Sequence, residues 1–204
     1  MLKEALKNYM DTYIKFNREA FGKYPQVDAE ISEEPSVCFF GEKDEDGYIQ
    51  WKYVEQSADI DFDRLEKERC VQVCDEVKQL YHSYLFLELQ GFLDGSEEGH
   101  ISFEPVMEET EEPFFPSDEY PAAEEYPNFI IIGRYGKMDA SLCVDIVTGK
   151  VYSWDLCDDT YEFEQEGRYK APELLADSLT ELLLRLSPVR KQFSDKDGKN
   201  AHGA

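Results

Sequence analysis

Chemistry that depends on histidine has three residues to work with in this 204-residue chain: His82, His100 and His202. None stands beside a cysteine or an aspartate in a nucleophile motif. His202 falls in a polar tail, and His82 falls at the end of a predicted helix. There an imidazole facing the last carbonyls is the plain reading, with catalysis as the alternative. Cys70 and Cys74 are four residues apart and are expected on one helix face, where they would supply two soft metal ligands. That face is also apolar, and free cysteine packs on such a face as a small hydrophobe. No Cys-x-x-Cys and no histidine pair completes a tetrahedral set, so no metal and no cofactor is expected. Asp44-Glu45-Asp46-Gly47 begins like a calcium loop. Tyr48, Ile49 and Trp51 then continue as a strand where alternating oxygen ligands would be needed. Asp155, Asp158 and Asp159 could serve as an acid-base pair or hold a cation, or they could form a solvated acidic turn. Gly133-Arg134-Tyr135-Gly136 reads as a turn, and neither a Gly-rich phosphate loop nor Gly-x-Ser-x-Gly occurs. A chain without any of these constellations reads as a binding protein, not an enzyme.

The charge narrows what it binds. Forty-five acidic residues against 21 basic give a formal net charge of -24. Such a surface repels nucleic acid, whose affinity for proteins rests on Lys and Arg neutralising phosphates. Anionic membrane is disfavoured on the same grounds, and runs such as Phe129-Ile130-Ile131-Ile132 fall far short of the ~20 apolar residues that span a bilayer. With 42% hydrophobic and 14% aromatic residues, the chain is too apolar for a disordered acidic tail. Its length suits one domain with a sizeable core. The first residues, Met1 to Lys7, hold no apolar core of signal-peptide length, and the five cysteines form no closely spaced disulfide framework. A cytoplasmic protein with reduced thiols is expected.

The elements that must position any site follow from periodicity. Leu2, Leu6, Tyr9, Tyr13 and Phe16 predict an amphipathic helix over residues 2 to about 20, stopped by Gly22 and Pro25. Val37 to Phe40 and Tyr48 to Tyr53 predict a hairpin. Asp61 or Asp63 then caps a second helix, whose stripe of Leu65, Cys70, Val73, Cys74, Val77, Leu80 and Tyr81 faces inward. Tyr84 to Leu89 predicts a strand. Phe129 to Arg134, Leu142 to Val147 and Val151 to Trp154 predict a meander with a tight turn at Thr148-Gly149-Lys150. A last helix is expected from about Ala171 to Leu186, with Leu174 and Leu175 among its inward residues and Pro188 after it. Residues 188–204 form a polar tail.

Between Asp94 and Pro127 the composition changes: twelve Asp or Glu, five Pro, and no Lys or Arg. Apart from a short strand at Ile101-Ser102-Phe103, this stretch is expected to be a long acidic loop, and it carries Phe114, Phe115, Tyr120 and Tyr126.

The string Asn128-Phe129-Ile130-Ile131-Ile132-Gly133, followed by Ser141 to Val147, Thr148-Gly149 and Val151-Tyr152-Ser153-Trp154, resembles the centre of the SUKH superfamily. Ala5-Leu6-Lys7, Pro35-Ser36-Val37-Cys38, Trp51, and Asp61-Phe62 through Leu65-Glu66 to Tyr81 are similar to Syd, its SecY-interacting branch. The resemblance covers roughly residues 2 to 186. It implies a single α+β domain over residues 1–187, with a curved, mostly antiparallel sheet and flanking helices.

It also implies stoichiometric protein binding without a cofactor. Superfamily members are mainly bacterial immunity proteins that neutralise toxin domains, many of them nucleases. The Syd branch instead binds basic cytoplasmic loops of the SecY translocon, which would bring the protein to the inner face of the plasma membrane through a partner. Either partner is basic, so the loop residues Glu108, Glu109, Glu111, Glu112, Phe114, Phe115, Asp118, Glu119 and Tyr120 are candidate contacts. A second candidate patch comprises Trp154, Asp155, Asp158, Asp159 and Tyr161, with Glu162, Glu164 and Glu166 beside them. Charge would steer the encounter while aromatic side chains hold the complex. The alternative is that the loop is merely a solvating segment and the second patch a polar edge.

Overall fold

The computed structural model describes residues 1–31, 36–118, 121–136, 140–156 and 171–189. Helix α1 (Leu2–Phe21) ends where expected, with the chain turning away at Gly22. Strands β1 (Gln26–Asp28), β2 (Phe39–Phe40) and β3 (Tyr48–Trp51) form a small sheet in the order β1-β3-β2. The expected hairpin is its β2-β3 half, in which Phe39 faces Trp51. Then come α2 (Phe62–Arg69), α3 (Asp75–Ser83), β4 (Leu89–Leu93), β5 (His100–Phe103), β6 (Phe129–Tyr135), β7 (Ala140–Asp145), β8 (Val151–Trp154) and β9 (Glu173–Ala176). Helix α4 (Leu179–Arg185) and a final strand, β10 (Leu186–Ser187), complete the described chain.

The large sheet has seven strands in the order β10-β4-β5-β6-β7-β8-β9, with every pair antiparallel. The meander runs in chain order from β4 to β9, after which the chain returns through α4 to pair β10 with the free edge of β4. A seven-residue helix is only about 10 Å long, so the two outer strands are tethered close together and the sheet must curl. The curled inner face holds the core. Leu89, Ile101, Ile130, Leu142 and Val151 from the strands meet Leu2, Leu6 and Met10 of α1, Val77 and Leu80 of α3, and Leu179 and Leu182 of α4. The fold is α+β.

Two close approaches show how tightly α1 and the sheet are packed. The Tyr9 hydroxyl donates to the Gln90 carbonyl at 2.7 Å, and a Cβ on Gly91 would overlap that hydroxyl. In β6 a bulge falls between Ile131 and Gly133, where a Cβ on Gly133 would run into the Ser102 carbonyl of β5.

Three expectations are corrected. The helix expected from Asp61 to Tyr81 is two helices. Asp61 does cap the first, its Oδ1 accepting from Arg64 N at 2.9 Å, but Cys70 adopts a left-handed conformation (φ 55) and ends it. The Glu66 carboxylate then accepts from Val73 N at 2.9 Å and from Lys78 Nζ at 2.6 Å, turning the chain into α3. Apolar spacing of three and four residues ran through this break, so periodicity alone hid it. The last expected helix is a strand followed by a shorter helix. Glu173, Leu174 and Ala176 pair with β8, and Ser178 caps α4 by accepting from Glu181 N at 3.0 Å while Glu181 accepts from Asp177 N. The strand expected at Tyr84 to Leu89 begins only at Leu89. Leu85 and Phe86 make single bridges to Val54 and Val106.

Arg185 fastens the curl. Its guanidinium donates to both Asp94 carboxylate oxygens, at 2.7 and 3.2 Å, and to the Leu175 carbonyl of β9 at 2.7 Å, while its own carbonyl accepts from Asp94 N. One side chain thus ties the end of α4 to both sides of the seam. We expect Arg185→Ala to lower stability by about 1–2 kcal/mol, read as the urea midpoint, and Arg185→Lys to recover only part of it because a lysine lacks the planar fork.

Glu66 offers a pH test. Hydrogen bonds from Lys78 and then from the Val73 amide hold its carboxyl below the ordinary glutamate range. Its contribution is therefore present above that range and lost as pH falls through the lowered folded value. Glu66→Gln should be less stable than wild type at pH 7, with the gap between their urea midpoints closing in acid. A gap independent of pH would show that Glu66 acts by packing alone.

Candidate partner-binding site

The sheet's second face divides in two. Register places Gln90, Ser102, Arg134 and Ser141 in one cross-strand row. Because of the bulge, Ile131 pairs with Cys143 and so shares this outer face with Arg134. Toward β8 the face is covered: Phe129, Cys143 and Trp154 form a second core with Ala123 and Leu156, and the Tyr126 ring meets Trp154 edge-on at 4.9 Å. Toward β5 it stays open as two clefts of about 550 and 520 Å³.

The small sheet walls the larger cleft through Val27, Asp28 and Tyr48, with Ile31 just after β1, and the large sheet supplies Gln90, His100 and Ser102, with Glu88 just before β4. The acidic loop walls the other cleft through Thr110, Glu112, Pro113 and Phe114, against Ile131 and Ser141. Glu104, Pro105 and Arg134 line both clefts, so the two adjoin at these residues as one grooved surface. Among the described residues lining it are four carboxylates, Asp28, Glu88, Glu104 and Glu112, and one arginine.

The acidic loop is tied down along its described length. Val106 exchanges backbone hydrogen bonds with Phe86, and Glu108 accepts from Val37 N and from Ser36 Oγ. Phe114 accepts from Ile131 N at 2.9 Å through its carbonyl. Bases absent from the loop itself come from α2. The Arg69 guanidinium lies 3.6 Å above the Phe115 ring and pairs with Asp118 at 2.9 Å, and Arg64 approaches Glu112 at 3.9 Å.

The candidate contacts are accordingly separated. Glu109, Glu111, Glu112, Phe114 and Asp118 are exposed, with Phe114 at 44%. Glu108 is half-buried and turned toward residues 36 and 37. Phe115 is 4% exposed and Trp154 2%, so both rings are packed within the fold. Asp155 is half-buried. Glu119, Tyr120, Asp158, Asp159, Tyr161, Glu162, Glu164 and Glu166 lie outside the described residues, as does the polar tail beyond residue 189. The residues at the centre of the groove, Glu104 and Arg134, were not singled out from sequence. Period-two alternation around Ser102 and Arg134 marks them as outward-facing, but only strand register brings them together.

Two expectations for the remaining chemistry-bearing residues are corrected, the shared helix face of Cys70 and Cys74 and the turn at Gly133 to Gly136. Cys70 is exposed at the end of α2 and Cys74 half-buried before α3, so they share no helix face. Burial pushes the Cys143 thiol up to about 12 and the Cys38 thiol up to about 11, keeping both protonated and unreactive at neutral pH. His82 bonds to the Ile60 carbonyl at 3.1 Å and stands edge-on to Phe62, while the His100 ring lies 5.3 Å from that of Phe92. Gly133, Arg134 and Tyr135 are strand residues; only Gly136 sits in a turn. Among the described residues, no group of three or more His, Cys, Asp or Glu could hold a metal ion, and no helix is long and apolar enough to cross a membrane.

The first half of this architecture matches a known family. Residues 3–98 fit the family model described as Syd protein (SUKH-2). The chain is similar to Syd. The matched stretch runs from α1 to the turn after β4, so it includes Asp28 and Glu88 and ends before Glu104 and the acidic loop. The match supports a protein-binding role of the Syd and SUKH type. No curated protein matches the chain.

The two adjacent phenylalanines give a direct test of the loop's packing. Phe115→Ala should cost about 3 kcal/mol by emptying a buried site beneath Arg69, whereas Phe114→Ala should stay within about 1 kcal/mol. Equal urea midpoints for the two variants would mean that the loop does not pack as described.

Proposed function

We propose that this is a non-enzymatic protein-binding module that takes a basic segment of a protein partner into the groove between the small sheet and the acidic loop. The observation that carries this reading is the groove's lining. Asp28, Glu88, Glu104 and Glu112 converge on an open sheet face, and exposed Phe114 stands at its margin as an apolar anchor. In a chain of net charge -24 the wider field steers a cationic partner toward that surface, and desolvated contacts at Phe114 then slow its departure. On the immunity reading the partner is a basic toxin domain, such as a nuclease, whose phosphate-binding cleft the acidic surface occupies.

A second reading has its own support. The family match falls on Syd, so basic cytoplasmic loops of SecY are the alternative partner. Both use the same electrostatics, and defined partners separate them. A toxin-domain protein encoded beside it, with growth rescued on co-expression and no binding to purified SecY in nanodiscs, supports immunity. Binding to SecY without rescue supports the alternative.

For either partner, we expect the association rate to fall steeply from low to high salt, because the attraction acts between surface charges screened over ~8 Å at physiological ionic strength. Glu104→Lys should weaken binding by about tenfold or more, and Phe114→Ala should raise the dissociation rate. An association rate indifferent to both salt and Glu104→Lys would refute the groove.

A further inference from the structure

The groove contains a charge of the wrong sign for a purely basic ligand. Among the described residues lining the two clefts, Arg134 is the one lysine or arginine, and it lines both, whereas His100 lines only the larger. Its row neighbours Ser102 and Ser141 are small and neutral, and among the described residues no carboxylate lies within ion-pair distance of its guanidinium. The four carboxylates are distributed around it, with Asp28 and Glu88 on the side of the small sheet, Glu112 on the side of the loop, and Glu104 in both clefts. A uniformly cationic segment crossing this face would meet carboxylates along its length, but at the join of the clefts it would also meet the Arg134 guanidinium, which offsets the attraction of Glu104 there.

We propose that Arg134 sets the sequence preference of the groove, selecting segments in which an acidic residue lies between basic ones. The inference rests on the reading that the groove binds a basic protein segment. Arginine presents a planar fork of donors that takes a carboxylate in two parallel hydrogen bonds, and a guanidinium with no carboxylate at ion-pair distance among the described residues has that fork to offer. Discrimination then has two parts: a central carboxylate is bound, and a central cation is repelled. The bulge at Ile131 and Gly133 is what turns Arg134 onto the open face and into the join of the two clefts.

The test uses the full chain and three synthetic peptides of equal length. One has lysines flanking a central glutamate; one has the same composition with the glutamate moved to an end; one has a central lysine. Fluorescence anisotropy gives their affinities for wild type, Arg134→Gln and Arg134→Glu, and a urea midpoint confirms that each variant folds. Wild type should bind the central-glutamate peptide about tenfold more tightly than its isomer, the worth of one charge-assisted bidentate contact. Arg134→Gln should abolish that difference, and Arg134→Glu should favour the central-lysine peptide. If wild type binds all three peptides equally, or Arg134→Gln keeps the preference, Arg134 does not select and the inference is overturned. If none of the peptides binds to wild type, the groove reading itself fails and takes the inference with it.

Discussion

A seven-stranded antiparallel sheet offers two faces and two edges, and burying the inner face against one long helix, α1, and the shorter α3 and α4 is the constraint on which the rest of the described structure depends. Curling solves the problem by wrapping the strands around α1, α3 and α4, and α4 does double duty because it also tethers β9 to β10. The curl in turn leaves the outer face without a full covering layer among the described residues. One half of that face acquires a second core of Phe129, Cys143, Trp154 and their neighbours, while the other keeps the polar row of Gln90, Ser102, Arg134 and Ser141. The groove is thus a consequence of how the core was built, and its walls are the small sheet and the acidic loop, anchored to the core by side chains such as Trp51 and Phe115.

Net charge is an incomplete guide to where such a protein binds, because many of its acids have work inside the fold. Asp145 holds the β7-β8 turn by accepting from Val147 N and the Thr148 hydroxyl, and Asp44 holds the β2-β3 loop through the amides of Asp46 and Tyr48. Glu108 pins the loop to residues 36 and 37, Glu76 accepts from Thr180 across the α3-α4 contact, and Asp94 accepts from Arg185. These carboxylates satisfy backbone and hydroxyl donors that would otherwise be left at turns and helix ends. They stabilise the folded state against the self-repulsion that a charge of -24 imposes.

What the sequence disclosed and what it withheld divide along physical lines. Helix α1, the β6-β7-β8 meander and the Asp61 cap were legible because each depends on residues adjacent in the chain. The breaks at Cys70 and at Ala176 were not, since apolar spacing carried on through them and what decided the matter was tertiary: pairing with β8 in one case, the Glu66 turn in the other. Ser178 and Glu181 did carry a helix-start signal, overridden by the run of leucines around it. For the candidate site, composition marked the acidic loop, but it could not show that Phe115 points into the protein and Phe114 out of it. Nor could it show that Arg64 and Arg69, nearly fifty residues upstream of their partners, supply the bases the loop lacks.

That last arrangement bears on how the surface recognises anything at all. A loop of twelve acids in thirty-four residues would, if left to itself, repel its own charges and sample many shapes, and ordering it on binding would subtract from the affinity. Arg69 over Phe115 and against Asp118 removes part of that cost before any partner arrives, as does the hydrogen bond from Ile131 to the Phe114 carbonyl. The ordering also decides which residues are left for a partner. Phe115 is consumed in holding the loop, so Phe114 is offered at the margin of the groove with its backbone already fixed to β6. On the proposed reading, a surface organised in this way would discriminate by shape and by the position of single charges, as well as by their number.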